Sequence, residues 1–226
     1  MKIPLKLLGL VAVAFVSGAC AGLPEDHEVA VLVQIDRPKG LSDTALEGAF
    51  RDSLPLYQQV EGLKRKYFVH TETQFGGVYL WTDKRSASAF FDSAWHTRIQ
   101  TTYGKPATLT HFDVPTETPG ASFGSAGKDG VVAIVKVGAP WYAPLETIAS
   151  RMQDSVPDYN VIAGLDYKIY SIASEKRVGG IYLWDNEAIA NAFYDAAWHA
   201  RILATYDEDA ELTFYRAPLV LVNQRD

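Results

Sequence analysis

The sequence predicts an α+β protein in which one β-α-β-β-α-β unit is written twice in tandem, and three observations lead to that fold class. The first is that Gly76–Trp81 (GGVYLW) recurs as Gly179–Trp184 (GGIYLW), 103 residues further along the chain. The second is that Ala94–Ile99 recurs as Ala197–Ile202 at the same spacing. The third is the order of apolar runs and capping residues, which alternates between strand-like and helix-like patterns in both copies.

Each copy can be divided into six elements. In the first copy, Thr44 followed by Glu47 has the spacing of a capping box, which would begin a helix that runs to about Leu54. Thr82 or Asp83 would cap a second, long helix. The predicted series for this copy is strand 29–35, helix 44–54, strand 63–71, strand 78–81, helix 82–101 and strand 108–114. The predicted series for the second copy is strand 131–137, a helix after Pro144, hairpin 165–184, a helix after Asp185 and strand 211–216.

The order β-α-β-β-α-β is that of a ferredoxin-like unit, in which helices cover one face of the sheet and leave the other face bare. A bare apolar face has to be covered by another layer. We therefore expect the first repeat, residues 28–115, and the second repeat, residues 130–223, to cover each other across the linker 116–129. The result would be an intramolecular assembly of the dimeric α/β-barrel type, and a monomer. Two alternatives remain open, namely units side by side on a flexible linker and barrel closure between two chains.

The N-terminus reads as a secretion signal. Residues 1–19 begin with basic side chains, continue with an apolar run from Leu7 to Val16, and end in small residues before Cys20. Cys20 resembles the lipobox cysteine of bacterial lipoproteins, although Ser17 stands where leucine is more usual. We expect Cys20 to be lipidated, which would tether the protein to a membrane on the periplasmic side of the bacterial cell envelope. The alternative is ordinary signal cleavage beside an incidental cysteine.

Composition and motifs exclude several classes of function. Removal of residues 1–19 would leave 19 basic and 27 acidic residues, and an acidic protein without a basic cluster is a poor nucleic-acid binder. No Cys/His cluster has metal-ligand spacing and no glycine loop for a nucleotide is present, so no dedicated metal or nucleotide site is predicted. Gly120–Gly124 matches the nucleophile-elbow pattern only formally, because it lies in a linker rich in Pro, Gly and Ser.

Three segments carry a resemblance to a known family. Gly62–Lys66, Gly76–Trp81 and Ala94–Ile99, the last continued by Tyr103–Pro106, resemble the YdhR-like monooxygenases of the dimeric α/β-barrel superfamily. The second copy departs from the pattern, because Asp207–Asp209 stands where the first copy has Gly104–Pro106. The resemblance implies a barrel that relatives build from two chains. It also implies oxidation of a small apolar or aromatic substrate without a cofactor.

Two aromatic residues share one face of the hairpin strand in each copy, Tyr79 with Trp81 in the first and Tyr182 with Trp184 in the second. Such rings could line an apolar pocket for an aromatic ligand, or they could be part of the barrel core. A lysine on the preceding strand is a further candidate in each copy, and its alternative is a surface lysine whose stem lies along apolar surface. The candidate substrate-binding residues on the hairpins are Lys66, Trp81, Lys168 and Trp184, and the candidate proton donors or acceptors are Tyr79 and Tyr182.

The long helix can be analysed by angle at 100° per residue. Arg98 then falls on the same apolar stripe as Ala94, with Trp95 at its edge, while His96 falls on the opposite side. A charged group on such a stripe is costly unless it is paired, so Arg98 could anchor an anion. Alternatively, its guanidinium reaches solvent or binds carbonyls near the helix end. The residues at the equivalent positions of the second copy are Trp198, His199 and Arg201.

Two functional hypotheses follow. In the first, which comes from the resemblance, a substrate carbanion itself reduces oxygen, Arg98 and Arg201 anchor the anion, and Trp95 and Trp198 form pocket walls. In the second, the protein is a non-catalytic module that binds a small apolar ligand or a partner protein. A closed cavity that contains both Tyr79 and Arg98 would favour the enzyme. A filled barrel with aromatic side chains on its outside would favour the binding module.

Overall fold

The computed structural model describes residues 26–140 and 142–223. The predicted signal peptide and Cys20 lie outside these residues. The first half of the molecule, defined here as residues 26–115, contains four strands and three helices. Its elements are β1 (Val29–Asp36), α1 (Asp43–Gln58), β2 (Leu63–His70), β3 (Gln74–Trp81), α2 (Lys84–Phe90), α3 (Ser93–Tyr103) and β4 (Thr108–Asp113).

The second half, residues 130–223, has the same order of strands and follows a short strand, β5 (Glu117–Pro119), in the segment predicted as a linker. Its elements are β6 (Val131–Gly138), α4 (Leu145–Asp154), α5 (Val156–Asn160), β7 (Leu165–Ala173), β8 (Arg177–Trp184), α6 (Glu187–Phe193), α7 (Ala196–Tyr206) and β9 (Glu211–Val222). Helices and antiparallel strands alternate in both halves, so the chain has a mixed α+β fold.

No helix within the two described ranges is long and apolar enough to cross a membrane.

The strands form one antiparallel sheet in the order β4-β1-β3-β2-β9-β6-β8-β7-β5. Strand β9 joins the halves, because its first part pairs with β6 and its last part pairs with β2. The first half reaches the second in a similar way. Asp113 at the end of β4 pairs with Ile172 of β7, and β5 then continues along β7. Pro115 and Pro218, which are equivalent in the repeat, lie where the chain passes from one partner strand to the next.

The prediction of one long helix over 82–101 is wrong, because the chain forms two helices that separate at Phe91 and Asp92. The side chain of Asp92 accepts a hydrogen bond from the backbone N–H of Trp95 at 2.7 Å. This cap satisfies a free donor at the start of α3 and stabilises a new helix N-terminus at that point. In the second half, Asp195 accepts a hydrogen bond from the N–H of Trp198 at the same distance, 2.7 Å.

Helix α1 also differs from its prediction at both ends. Ser42 rather than Thr44 caps it, because the Ser42 hydroxyl accepts the N–H of Ala45 at 3.2 Å. The helix continues past the predicted end at about residue 54, with Pro55 inside its last turn. This extra turn carries Tyr57 over the sheet, where its ring meets that of Tyr79 with centres 5.9 Å apart.

The buried side chains form three layers, which follow the alternation of residues along the strands. The middle layer is a single apolar cluster shared by both halves, and it includes Val78 and Leu80 together with Ile181 and Leu183. The outer layers lie between the sheet and the helices of each half. Their aromatic members include Phe68, Tyr79, Trp81 and Trp95 in the first half, and Tyr182, Trp184, Tyr194 and Trp198 in the second. The predicted hairpin aromatics therefore face the helices rather than the shared middle layer.

Candidate functional site

One lysine on the sheet of each half lies inside the protein. Lys66 on β2 and Lys168 on β7 are each 2% exposed, so the alternative of a surface lysine is wrong for both. Each lysine lies directly opposite a hairpin tyrosine in the neighbouring strand, Lys66 opposite Tyr79 and Lys168 opposite Tyr182. The pairing brings two of the predicted site residues together in each half.

Three aromatic rings surround the side-chain nitrogen of each lysine, and we call each arrangement a lysine cage. The first cage consists of Tyr57, Phe68 and Tyr79, whose ring centres lie 3.0, 3.9 and 4.6 Å from the Nζ of Lys66. The second consists of Tyr159, Tyr170 and Tyr182, whose ring centres lie 3.1, 3.6 and 4.9 Å from the Nζ of Lys168. The corresponding distances from nitrogen to ring centre are thus nearly the same in the two cages.

The repeated glycine pair makes room for the cages. A Cβ atom on Gly77 would lie 3.1 Å from the Cε of Lys66 and 3.0 Å from the ring of Tyr79. A Cβ atom on Gly180 would lie 3.2 Å from the Cε of Lys168. These distances are shorter than ordinary carbon contacts, so any side chain would displace the lysine stem. The motif that reveals the repeat is therefore also a part of the site.

Burial lowers the pKa of both caged lysines well below the usual value of a lysine, because the charged form loses its hydration. Each aromatic face favours a cation by about 0.5–2 kcal/mol, which works against that shift. Lys64 is paired with Glu28 and Lys136 with Glu211, whereas no such ion pair forms in the cages. Each cage therefore favours an uncharged amine.

Tyr57 and Tyr159 cover the two cages. Tyr57 is partly exposed, and its hydroxyl accepts a hydrogen bond from the hydroxyl of Tyr79 at 3.4 Å. Its backbone carbonyl accepts a hydrogen bond from the side-chain amide of Asn223 at 2.9 Å. Burial raises the pKa of Tyr57, and it raises the pKa of Tyr159 to about 12. Both hydroxyls are therefore protonated at neutral pH and can donate hydrogen bonds.

Arg98 and Arg201 do not lie where the helix angles place them. Both are exposed, which agrees with the alternative that the guanidinium reaches solvent and not with an anion anchor inside the apolar stripe. The break at Asp92 resets the helical phase, which turns Arg98 outward while Trp95 stays buried. Arg98 lines a shallow surface depression of about 420 Å³ on α3, and Tyr79 is not among its lining residues. Because Arg98 is exposed and Tyr79 is buried, the two do not share a closed cavity, so the arrangement that would favour an enzyme is not formed.

The two arginines nevertheless act electrostatically on the residues that cover the cages. Burial raises the pKa of Tyr57, and the positive charge of Arg98 partly opposes that rise. Arg201 has the same lowering effect on the pKa of Tyr159. The arginines are thus close enough to influence the cages without being part of them.

The predicted tryptophans are not among the rings that surround the lysine nitrogen, and two of them pack against the cage tyrosines instead. Trp81 stacks on Tyr79 with ring centres 6.1 Å apart, and Trp184 stacks on Tyr182 at 6.2 Å. Trp95 and Trp198 are buried one layer further out. His96 is exposed, as predicted. In the described residues, no three His, Cys, Asp or Glu side chains form a group that could hold a metal ion.

Four of the six cage rings are absent from the sequence predictions. Tyr57 and Tyr159 lie 102 residues apart, which is also the spacing of Pro55 and Pro157. The repeat therefore contains the signal for this pair. Nothing in the sequence alone indicates that the end of a helix would cover a strand lysine. The unpredicted rings are Tyr57, Phe68, Tyr159 and Tyr170.

Solved structures with a similar fold are named for oxidation chemistry. A protein described as a "Putative monooxygenase" from Fusobacterium nucleatum subsp. nucleatum is 10% identical, with a TM-score of 0.65, over 87% of this chain and 94% of that chain. An anthrone oxidase-like protein is 11% identical, with a TM-score of 0.56, over 88% and 94%. A monooxygenase-like protein from Listeria innocua is 11% identical, with a TM-score of 0.51, over 86% and 96%.

No family model matches the chain, and no curated protein matches its sequence. At 10–11% identity, similarity to solved structures concerns the fold and not the chemistry. The chain therefore has a monooxygenase-like α+β fold, and its function has to be inferred from the cages.

Proposed function

We propose that this protein is a cofactor-independent monooxygenase that oxidises a small apolar or aromatic molecule at its lysine cages. The recurrence of the cage in both halves is the main support. An uncharged amine among aromatic rings offers a general base next to an apolar surface for an aromatic substrate. The similarity to an anthrone oxidase-like protein adds support at the level of the fold.

In the proposed reaction, the amine of Lys66 or Lys168 removes a proton from an activated C–H group of the substrate. The resulting carbanion gives its electrons to oxygen directly. For an activated methylene group, the substrate and one O2 give a carbonyl product and one water, so no external reductant is needed. Tyr79 and Tyr182 donate protons to the developing oxygen anion. Trp81, Trp95, Trp184 and Trp198 support the apolar walls from behind, and Arg98 and Arg201 favour anions near the covering tyrosines.

Oxygen consumption with anthrone-type and quinol-type substrates tests this proposal. We expect a K66M/K168M variant to lose about 100-fold or more of the rate, the range that a general base contributes. K84M is the matched control, because Lys84 is exposed on α2 and should leave the rate unchanged. Equal rates in K66M/K168M and the wild type would contradict the role of the cages.

The close packing of the cages favours a second candidate, a non-catalytic module that binds a small apolar ligand. Lys66 is 2% exposed and Tyr79 is 3% exposed, so a ligand has to displace a covering ring to reach them. Native mass spectrometry of the purified protein would detect a retained small molecule. A retained ligand without oxygen consumption would favour this candidate over the enzyme.

We also propose that the two halves are tandem copies that close into an intramolecular barrel. The pairing of β9 with β2, and of Asp113 and β5 with β7, supports this, because the chain at the end of each half pairs with a strand of the other half. The shared middle layer supports it as well. Analytical ultracentrifugation should give a monomer mass, and an obligate dimer would contradict closure within one chain.

For the N-terminus, we propose cleavage after residue 19 and lipidation of Cys20, so that the mature protein is anchored in the cell envelope. The order of basic, apolar and small residues supports this proposal. In bacterial cells, a C20S variant should move from the membrane fraction to the soluble fraction. A protein that fractionates with membranes equally well with and without Cys20 would contradict the anchor.

A further inference from the structure

An uncharged buried amine can do more than accept a proton. A desolvated lysine in an apolar pocket is a nucleophile that forms Schiff bases with carbonyl compounds. In both cages the lysine nitrogen faces aromatic rings and forms no ion pair with any carboxylate of the described ranges. No permanent salt bridge therefore holds the amine in its protonated form.

We infer that Lys66 and Lys168 form covalent imines with small aromatic carbonyl compounds. The amine nitrogen adds to the carbonyl carbon, and the resulting carbinolamine loses water to leave a C=N bond. Overall, one amine and one carbonyl compound give one imine and one water. This inference rests on the proposed function, which it deepens by naming the substrate class. With a carbonyl substrate the amine acts as a nucleophile in place of its role as base, and the imine makes a neighbouring C–H group more acidic.

The lining of the cages fits an aromatic carbonyl compound better than an ion. Three rings around each nitrogen offer stacking surfaces for a substrate ring. No carboxylate of the described residues is paired with the caged nitrogen, so the cage offers no such group to bind a cationic substrate. The Tyr79 and Tyr57 hydroxyls, 3.4 Å apart, are protonated donors that can bind the carbonyl oxygen and assist its departure as water.

The covering tyrosine of each cage lies at or near the end of a helix and is partly exposed. Tyr57 lies in the last turn of α1, next to Leu56, which is 61% exposed. Tyr159 lies in the five-residue helix α5. The backbone carbonyl of Tyr57 accepts a hydrogen bond from Asn223, so the ring opens by rotation of its side chain and not by unwinding of the helix end. A small planar molecule can therefore reach the amine when the covering ring swings out.

Reductive trapping tests the inference on the intact chain. Benzaldehyde and cyanoborohydride at pH 7 convert any imine into a stable benzylamine, which peptide mass spectrometry assigns to a lysine. An exposed lysine with a pKa of about 10.4 is uncharged in only about one molecule in 2,500 at pH 7. We expect Lys66 and Lys168 to be labelled at least about ten-fold faster than the exposed Lys39 and Lys84. Labelling at the rate of Lys84 would overturn the inference.

Two controls separate the cage from the local sequence and from the proposed function. In 8 M urea the preference for Lys66 and Lys168 should disappear, and a preference that persists would overturn the inference. A Y57A variant should label faster at Lys66 and not at Lys168, because only the first cage loses its cover. Selective labelling without oxygen consumption would support the imine and contradict the oxygenase. Oxygen consumption without labelling would leave the amine as a base alone and overturn the imine.

Discussion

The two halves share the lysine cage but differ in the polar groups around it. The lysine, the covering tyrosine and the hairpin tyrosine are the same residue types in both halves, at corresponding positions. Several neighbouring positions differ. Those that change a polar group include, first half before second, Leu56 and Asp158, Phe68 and Tyr170, His70 and Ile172, and Phe91 and Tyr194. The carboxylate of Asp158 raises the pKa of Lys168 and so partly opposes the effect of burial in the second cage.

The second half satisfies its polar groups more completely than the first. The hydroxyl of Tyr170 forms a hydrogen bond with that of Ser155 at 2.8 Å, and the indole of Trp184 donates to the hydroxyl of Tyr194 at 3.4 Å. In the first half, the indole N–H of Trp81 and both ring nitrogens of His70 are buried without a hydrogen-bond partner, although the carboxylate of Asp43 lies 4.0 Å from the Nδ1 of His70. The cage therefore forms with or without these additional hydrogen bonds. The missing hydrogen bonds of the first half indicate positions where substitutions can raise its stability.

The largest effect is expected from the lysines, which the halves share. Unfolded lysine binds a proton below a pH of about 10.4, whereas the caged lysines release theirs at lower pH. Unfolding then takes up protons, so stability should rise with pH up to about 10, by up to about 1.4 kcal/mol per pH unit for each lysine. Above that pH the raised pKa values of Tyr79 and Tyr182 should reverse the trend.

Urea unfolding at a series of pH values measures this slope. K66M and K168M should each reduce the rise between neutral pH and pH 10, since burial lowers the pKa of both lysines. K84M should leave the slope unchanged, because Lys84 is exposed. A slope that survives in K66M/K168M would show that other groups cause it.

His70 should give the next largest effect. It is 1% exposed, and burial lowers its pKa although the carboxylate of Asp43, 4.0 Å away, favours the charged form. Arg216 and Arg37 also lower its pKa. H70I, which copies Ile172, should stabilise the protein at pH 7 by about 1–3 kcal/mol, because two unpaired buried nitrogens disappear.

The acid limb of the stability curve provides a check on the same variant. Because the folded pKa of His70 is lowered, the wild type should lose stability as the pH falls below about 6.5, where the unfolded histidine takes up its proton. H70I should lose less over this window. A variant that is less stable than the wild type at both pH 7 and pH 5 would mean that His70 has a partner, such as a bound water.

Exchange of the neighbouring ring should change stability in opposite directions at Trp184 and at Trp81. Trp184 donates to Tyr194, so Y194F should destabilise the protein by about 1–3 kcal/mol by leaving a buried donor unpaired. Trp81 has no such partner, and F91Y should stabilise by about 0.5–1.5 kcal/mol. The ring centres of Trp81 and Phe91 are 5.8 Å apart, as are those of Trp184 and Tyr194, so the added hydroxyl has room. Effects of the same sign in both variants would contradict this account.

The smallest effect concerns the cage ring that differs. Ser53 corresponds to Ser155, and each donates its hydroxyl to a carbonyl of its own helix at 2.8 Å. F68Y should place a hydroxyl near Ser53 and stabilise by about 0.5–1.5 kcal/mol. The double variant F68Y/S53A should lose that gain in chemical unfolding. A gain that persists without the Ser53 hydroxyl would point to another partner.

The fold was largely predictable because its signals are local. Strand alternation and the repeated Gly76–Trp81 motif indicate the order of strands directly. The break at Asp92 was not predictable by angle, because an aspartate inside an amphipathic pattern looks like an exposed helical position until it caps a new helix. That single error moves Arg98 from the apolar stripe to the exposed surface.

The cages were only partly predictable because they are made by tertiary contacts. Lys66 and Tyr79 were identified from the repeat, but lysines are seldom fully buried, so the depth of Lys66 could not be expected. Tyr57 reaches the cage only because α1 extends past Pro55 and packs on the sheet. Self-comparison at a spacing of 102 residues would have added Tyr57 and Tyr159 to the candidates.

The protonation state of the caged lysines tests the central claim most directly. Carbon-13 labelling of lysine Cε, with K66M and K168M to assign the signals, allows each side chain to be titrated by NMR. The account predicts that Lys66 and Lys168 are uncharged at pH 7, where exposed lysines, which titrate at about 10.4, stay charged. A caged lysine that is still charged at pH 7 would contradict the claim that the cages hold uncharged amines at neutral pH.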